Sequence, residues 1–201
     1  MSGLPGIERL WAPALWFEQL PSELLSAQMT CRRTQVATGT RARGVWLALT
    51  WNLGGFFLSA LLPGSGVATI EGLLTLALWF TLWSFIGLLI LPTPSRRGVY
   101  AADAQTLRNG VDECNLRKTI ETLDRWQDNE SERPNGVEAI FHPVPSVANR
   151  LARLKAPSST LGAYHAARMA LPTSWVCLGF LGRAVHCNCG RRELWVMLPG
   201  D

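Results

Sequence analysis

Histidine is scarce in this chain of 201 residues: there are three, and none precedes His142. Their placement suggests no Ser-His-Asp set. No glycine-rich phosphate loop is present either, because Gly64 and Gly66 lie in a turn between two apolar runs. Charge is also thin, at 17% against roughly 25% in soluble globular proteins. The deficit is local, since residues 45–62 and 67–91 contain a single charged side chain, Glu71. Residues 1–30 hold no long apolar stretch, so no signal peptide is expected. These numbers exclude collagen-like, disulfide-scaffold and wholly disordered chains.

What is present is a pair of apolar runs. Val45–Leu62 covers 18 residues with Asn52 its strongest polar member, and Val67–Leu91 covers 25. A bilayer core needs about 20 apolar residues in a helix, so both runs are long enough to span. Soluble core helices are the bland alternative, but they seldom carry uncharged runs of this length. Pro63-Gly64-Ser65-Gly66 predicts a tight turn, making the spans antiparallel neighbours. Arg32, Arg33, Arg41 and Arg43 precede the first run, while Arg96, Arg97 and Arg108 follow the second. The loop between the runs has no basic residue, so both flanks are expected in the cytoplasm of an inner or plasma membrane of bacterial type. Glu71, early in the second run, is expected at an interface or a helix–helix contact rather than in a proton path. Trp79 and Trp83 are expected to pack on a partner or on lipid. Leu10, Trp11, Leu15, Trp16, Phe17 and Leu20 predict a short amphipathic segment lying against the interface or a partner.

The expected fold is mainly α, a two-helix transmembrane hairpin with helical cytoplasmic flanks. Four segments are expected: a basic amphipathic segment (1–44), the hairpin (45–92), a helical cytoplasmic segment (93–157), and an interfacial helix with a tail (158–201). Residues 93–157 hold ten basic and nine acidic residues, the balance of a solvated surface. Leu107, Val111, Cys114, Leu116, Ile120 and Leu123 recur at helical spacing, predicting a helix from Ala102 to about Asp128. Asp128–Gly136 reads as a polar loop turning at Pro-Asn-Gly, and Ser146 as the N-cap of a short helix through Leu154.

The order is a hydrophobic hairpin, then Ser95-Arg96-Arg97-Gly98-Val99-Tyr100-Ala101-Ala102-Asp103, a helix, His142-Pro143 and Asn149-Arg150-Leu151-Ala152-Arg153-Leu154. Over residues 45–154 it resembles the C-terminal part of the HtpX-like membrane zinc metallopeptidases. In that family an H-E-x-x-H helix precedes the hairpin, and a Ser-Arg-x-x-Glu-Tyr-x-Ala-Asp segment supplies the third zinc ligand. The resemblance implies that Tyr100, Asp103, His142 and Arg150 are remnants of family motifs, none of them a ligand. A catalytic zinc needs three protein ligands and an open position. Here H-E-x-x-H is absent, and Val99 stands where the ligand Glu belongs. The chain is therefore expected to be a non-catalytic relative that needs no cofactor.

His186, Cys187 and Cys189 are the only metal-ligand cluster by spacing, with Cys177 and His165 as nearest additions. A redox pair is the further alternative, and ordinary reduced cysteines, buried or facing lipid, are the default in a cytoplasmic setting. Met169–Gly182, interrupted by Pro172, is short for a span and predicts an interfacial or buried helix. The net charge of +4 is accounted for by flanks facing anionic lipid, so no nucleic-acid partner is expected. Nine Trp residues and apolar termini predict lipid and other membrane-protein subunits as partners. The expected function is a scaffold or accessory subunit of a membrane complex. The alternatives are half of a split zinc peptidase or a regulatory pseudo-protease.

Overall fold

The computed structural model describes residue 7 and residues 9–64, 66–127, 129–155 and 162–188. The protein is mainly helical, with no strand among the described residues. The helices are α1 (Ala14–Gln19), α2 (Ser22–Ala37), α3 (Thr40–Ala60), α4 (Ile70–Ile90), α5 (Pro92–Arg108), α6 (Glu113–Gln127), α7 (Asn135–Phe141), α8 (Val147–Leu154) and α9 (Ala166–Asn188). One continuous helical stretch, Ile70–Arg108, is long and apolar enough to cross a membrane, with a mean hydropathy of 2.1 in its most apolar part. It joins α4 to α5 through Leu91, whose backbone stays helical, with Pro92 at the first position of α5, where no amide is needed.

The expected two-span hairpin is thus met in part. Helix α3 spends its first turn on Thr40–Arg43 and stops at Ala60, so its apolar length falls short of the run read from sequence. The link to α4 is also longer than four residues. The amide of Gly66 bonds the Pro63 carbonyl at 3.1 Å, with Gly66 at φ 73°, and α4 starts only at Ile70. The Thr69 hydroxyl accepts the Gly72 amide at 3.1 Å and caps the helix. Glu71 lies exposed in the first turn, where a carboxylate complements the helix dipole.

Helices α3, α4 and α9 pack together. Trp51 of α3 and Trp83 of α4 stack with centroids 4.6 Å apart, and the Trp83 indole donates to the Trp51 carbonyl at 2.9 Å. Each indole rests on a glycine of the opposite helix, Trp51 on Gly87 and Trp83 on Gly55, where a methyl group would overlap the ring. Trp83 therefore packs within the chain, not on an outside partner. The α3–α9 crossing is built from Ala48, Ala167 and Ala170, small enough for close backbone approach, with Leu91 of the α4–α5 junction beside them. Asn52 is buried and donates to the Ala170 carbonyl at 2.9 Å and to the Thr173 hydroxyl.

Helix α9 is longer than its apolar core suggested, and it lies along the bundle rather than apart from it. Pro172 lacks the amide that would bond the Arg168 carbonyl, and polar side chains bond the two carbonyls that follow it. The Thr173 hydroxyl donates to Met169 at 2.8 Å, and Asn52 donates to Ala170. The Tyr164 amide meets the Thr40 carbonyl at the start of α3, and Asn52 meets Ala170 farther along. So α9 runs parallel to α3 and antiparallel to α4.

The polar half is held by Leu116, Ile120, Val147 and Leu154, with Leu107 and Val111 against them. The single helix expected over 102–128 is broken at Asn109-Gly110. Gly110, at φ 88°, bonds back to Leu107 at 3.0 Å and turns α6 onto α2. The loop over 128–136 ends early, because Asn135 and Gly136 form the first turn of α7 behind Pro134. Ser146 caps α8 as expected. At the N-terminal side Trp16, Leu20 and Leu24 form a buried cluster against Leu123, while Trp11, Leu15 and Phe17 stay exposed.

Candidate functional site

A cavity of about 190 Å3 lies among α2, α5, α6, α8 and the segment before α9. Helix α2 contributes Gln28, Cys31, Arg32 and Gln35, α5 contributes Val99, and α8 contributes Arg150. Tyr164 and His165 complete that side because residues 162–164 thread between α3 and α5. The Ala163 amide bonds the Pro94 carbonyl at 2.9 Å, and the Tyr164 amide bonds the Thr40 carbonyl at 3.0 Å. Only glycine fits at Gly44 and Gly98, where a Cβ would collide with the Tyr164 backbone. His165 then turns into α9 at φ 66°, a left-handed backbone uncommon for a non-glycine residue.

The electrostatics turn on one buried pair. Asp103 accepts from Arg150 Nε at 2.9 Å and from Nη2 at 2.7 Å, a two-pronged contact that only a guanidinium makes. Burial works against the Arg150 charge, but the Asp103 carboxylate outweighs it and holds the Arg150 pKa above its ordinary value. The Cys31 thiol sits 4.0 Å from the same carboxylate and 3.8 Å from the Gln35 amide nitrogen. Burial, reinforced by Asp103, pushes the Cys31 pKa up to about 11, so the thiol stays protonated and a poor nucleophile. Burial, with Arg168 and Arg32 nearby, pushes His165 down to about 3, keeping its imidazole neutral at pH 7.

The residues read as family remnants separate into three places. Asp103 and Arg150 meet at the cavity. Tyr100 is half-buried beside it, with the Arg153 guanidinium 5.3 Å from its ring centroid; burial and then Glu138 raise its pKa. His142 stands at the end of α7, where its carbonyl accepts from Arg96 at 3.1 Å; Arg96 also caps Glu138 and Ala139. The buried Glu138 carboxylate accepts the Ser146 amide at 3.0 Å and Asn149 Nδ2 at 2.9 Å. Burial pushes its pKa up, yet these hydrogen bonds prevail and hold it below the usual value.

The tail cluster falls only partly on the described residues. His186 and Cys187 are exposed near the end of α9, and Cys189 lies outside the described residues. His165, considered as a further ligand, precedes the opposite end of that 23-residue helix and cannot reach them. Cys177 sits midway along it. Among the described residues no three His, Cys, Asp or Glu side chains come together in a way that could hold a metal ion.

Sequence reasoning missed Cys31, Gln35 and Tyr164, read Arg32 only as a sign of orientation and His165 only as an addition to the tail cluster, and so did not see that the five line one cavity. The signal available was the spacing of Cys31 and Gln35, four apart on one face of a helix just before the apolar runs. No protein-family model, curated protein or solved structure matches this chain.

Proposed function

We propose that this chain is a non-catalytic integral membrane protein, an accessory subunit or scaffold whose polar half keeps the frame of a metallopeptidase without its zinc ligands. The observation that carries this reading is the meeting of Cys31, Gln35 and Val99 at one cavity. In an H-E-x-x-H helix the two histidines stand four residues apart on one face. Cys31 and Gln35 have that spacing on α2, immediately before the apolar runs, and Arg32 follows Cys31 where the general base would stand. Val99 of α5, at the position of the missing ligand Glu, lines the same cavity. A protonated thiol, an amide, an isopropyl group and a guanidinium offer neither three ligands nor a base for water.

Membrane placement is supported by the outer surface of the bundle. Phe57 of α3 is 67% exposed, Leu78 of α4 73% and Phe180 of α9 71%, a spread of large apolar side chains that water would penalise. In this reading α3, α4 and α9 cross the bilayer, with the Arg-rich ends of α3 and α5 in the cytoplasm. The parallel course of α9 and α3 then favours the far end of α9 outside, where both termini were expected within. The same exposed faces are the surface for lipid and neighbouring subunits.

Purification in gentle detergent followed by mass spectrometry tests the subunit reading. Stoichiometric co-purifying membrane proteins are expected. A monodisperse lone chain would contradict it and favour a regulator of transient clients.

A further inference from the structure

The cavity described above is lined by more positive than negative charge, Asp124 being the one carboxylate among its lining residues. Four arginines line it, and two of them have carboxylate partners: Arg150 with Asp103, and Arg133 with Glu130 at 2.7 Å. Arg32 and Arg168 have none among the described residues. Arg32 donates to the Tyr164 hydroxyl at 3.3 Å and lies 5.8 Å from the centroid of Trp16. These contacts fix the guanidinium without neutralising it. Arg168 sits exposed at the rim, one turn into α9. His165 lines the same cavity within the field of both guanidinium groups, its neutral ring holding one N–H donor and one acceptor. Neither guanidinium has an ion-pair partner among the described residues, and an anion bound by both relieves their mutual repulsion.

We propose that this cavity binds a phosphate-type oxyanion between Arg32 and Arg168. Guanidinium groups match the oxygens of a phosphate in a two-pronged manner, and the neighbouring hydroxyl of Tyr164 supplies another donor. At about 190 Å3 the space is smaller than the roughly 300–1,000 Å3 of a typical small-molecule pocket, which favours a compact anion over a nucleotide. Two sources share this chemistry: free phosphate, and the headgroup of an anionic lipid. The anion site does not depend on the membrane reading. The lipid source does, because Tyr164 is tied to the first residue of α3 and so stands at the polar end of the bundle.

The test follows the thermal unfolding of the full chain in neutral detergent by its tryptophan fluorescence. One arm adds inorganic phosphate against chloride at equal ionic strength, and another adds phosphatidylglycerol against phosphatidylcholine. A Tm rise of about 3 °C or more is expected with phosphate, phosphatidylglycerol or both. Whichever responds names the source, and a response to phosphate alone would uphold the site while counting against a membrane ligand. Arg32→Gln with Arg168→Gln should raise the half-saturating concentration by on the order of tenfold or more. Arg33→Gln, an equal charge loss at an exposed neighbour, should leave it unchanged. If the double variant does not fold, the rim variant Arg168→Gln alone carries the comparison. No rise in either arm, or equal weakening by Arg33→Gln, overturns the proposal.

Discussion

A single carboxylate organises the polar half at the residue scale. Asp103 is buried, accepts both nitrogens of Arg150 and touches the Cys31 thiol, so three helices meet at one charge. Asp103→Ala leaves a guanidinium buried without its partner, and chemical denaturation should show a loss of about 3–5 kcal/mol. Arg150→Lys cannot restore the second prong and should recover little of the stability lost by Arg150→Ala. His165 predicts a pH effect of definite sign. Its folded pKa, about 3, lies below the unfolded value of 6.5, so the unfolded chain binds the extra proton between these limits. Stability from this residue is complete above pH 6.5 and falls as the pH drops toward 3, by about 1.4 kcal/mol per pH unit within the window. Asn tolerates the left-handed backbone, so His165→Asn should flatten that slope in urea titrations at successive pH values.

At the scale of elements, the direction of α9 makes the most testable claim. Cys187 is exposed near its far end, whereas Cys114 is exposed in the polar half. In single-cysteine versions of the full chain, a membrane-impermeant maleimide added outside should label Cys187 and a cysteine placed at Ser65. Cys114 should react only after permeabilisation. Labelling of Cys114 from outside would contradict the proposed orientation, and protection of Cys187 would contradict the proposed crossing of α9. The course of α9 was hidden in the sequence by Pro172, which lies inside a helix that continues to Asn188. Helix α2 was illegible for a different reason: its buried face includes Gln28, Thr34 and Gln35, so it shows no apolar period. Apolar spacing did run through Leu107–Leu123, but it could not reveal the glycine break at Gly110. Strong local signals did read through, among them the two apolar runs, the turn at Pro63–Gly66 and the Ser146 cap. Asp103 and Arg150 were marked only by a resemblance, because their pairing across 47 residues leaves no periodic trace.

The whole molecule joins an apolar bundle to a polar helical layer through the continuous α4–α5 helix and the tight crossing of residues 162–164. At about 1.5 Å per residue, 39 residues reach roughly 60 Å, twice the hydrocarbon thickness of a bilayer, so one helix serves both halves. Gly98→Ala should therefore disturb both: its methyl meets the Tyr164 backbone, which cannot rotate away, and a Tm fall of at least several degrees is expected. The central claim is that Cys31, Arg32, Gln35 and Val99 stand where a zinc site and its base would stand. It is tested most directly by metal analysis of the purified wild-type chain beside Cys31→His/Arg32→Glu/Gln35→His/Val99→Glu, with helicity checked by circular dichroism. The account predicts no stoichiometric zinc in the wild type and about one chelatable zinc per chain in the folded variant. Zinc bound at one per wild-type chain together with casein cleavage, or a folded variant that takes up none, would contradict it.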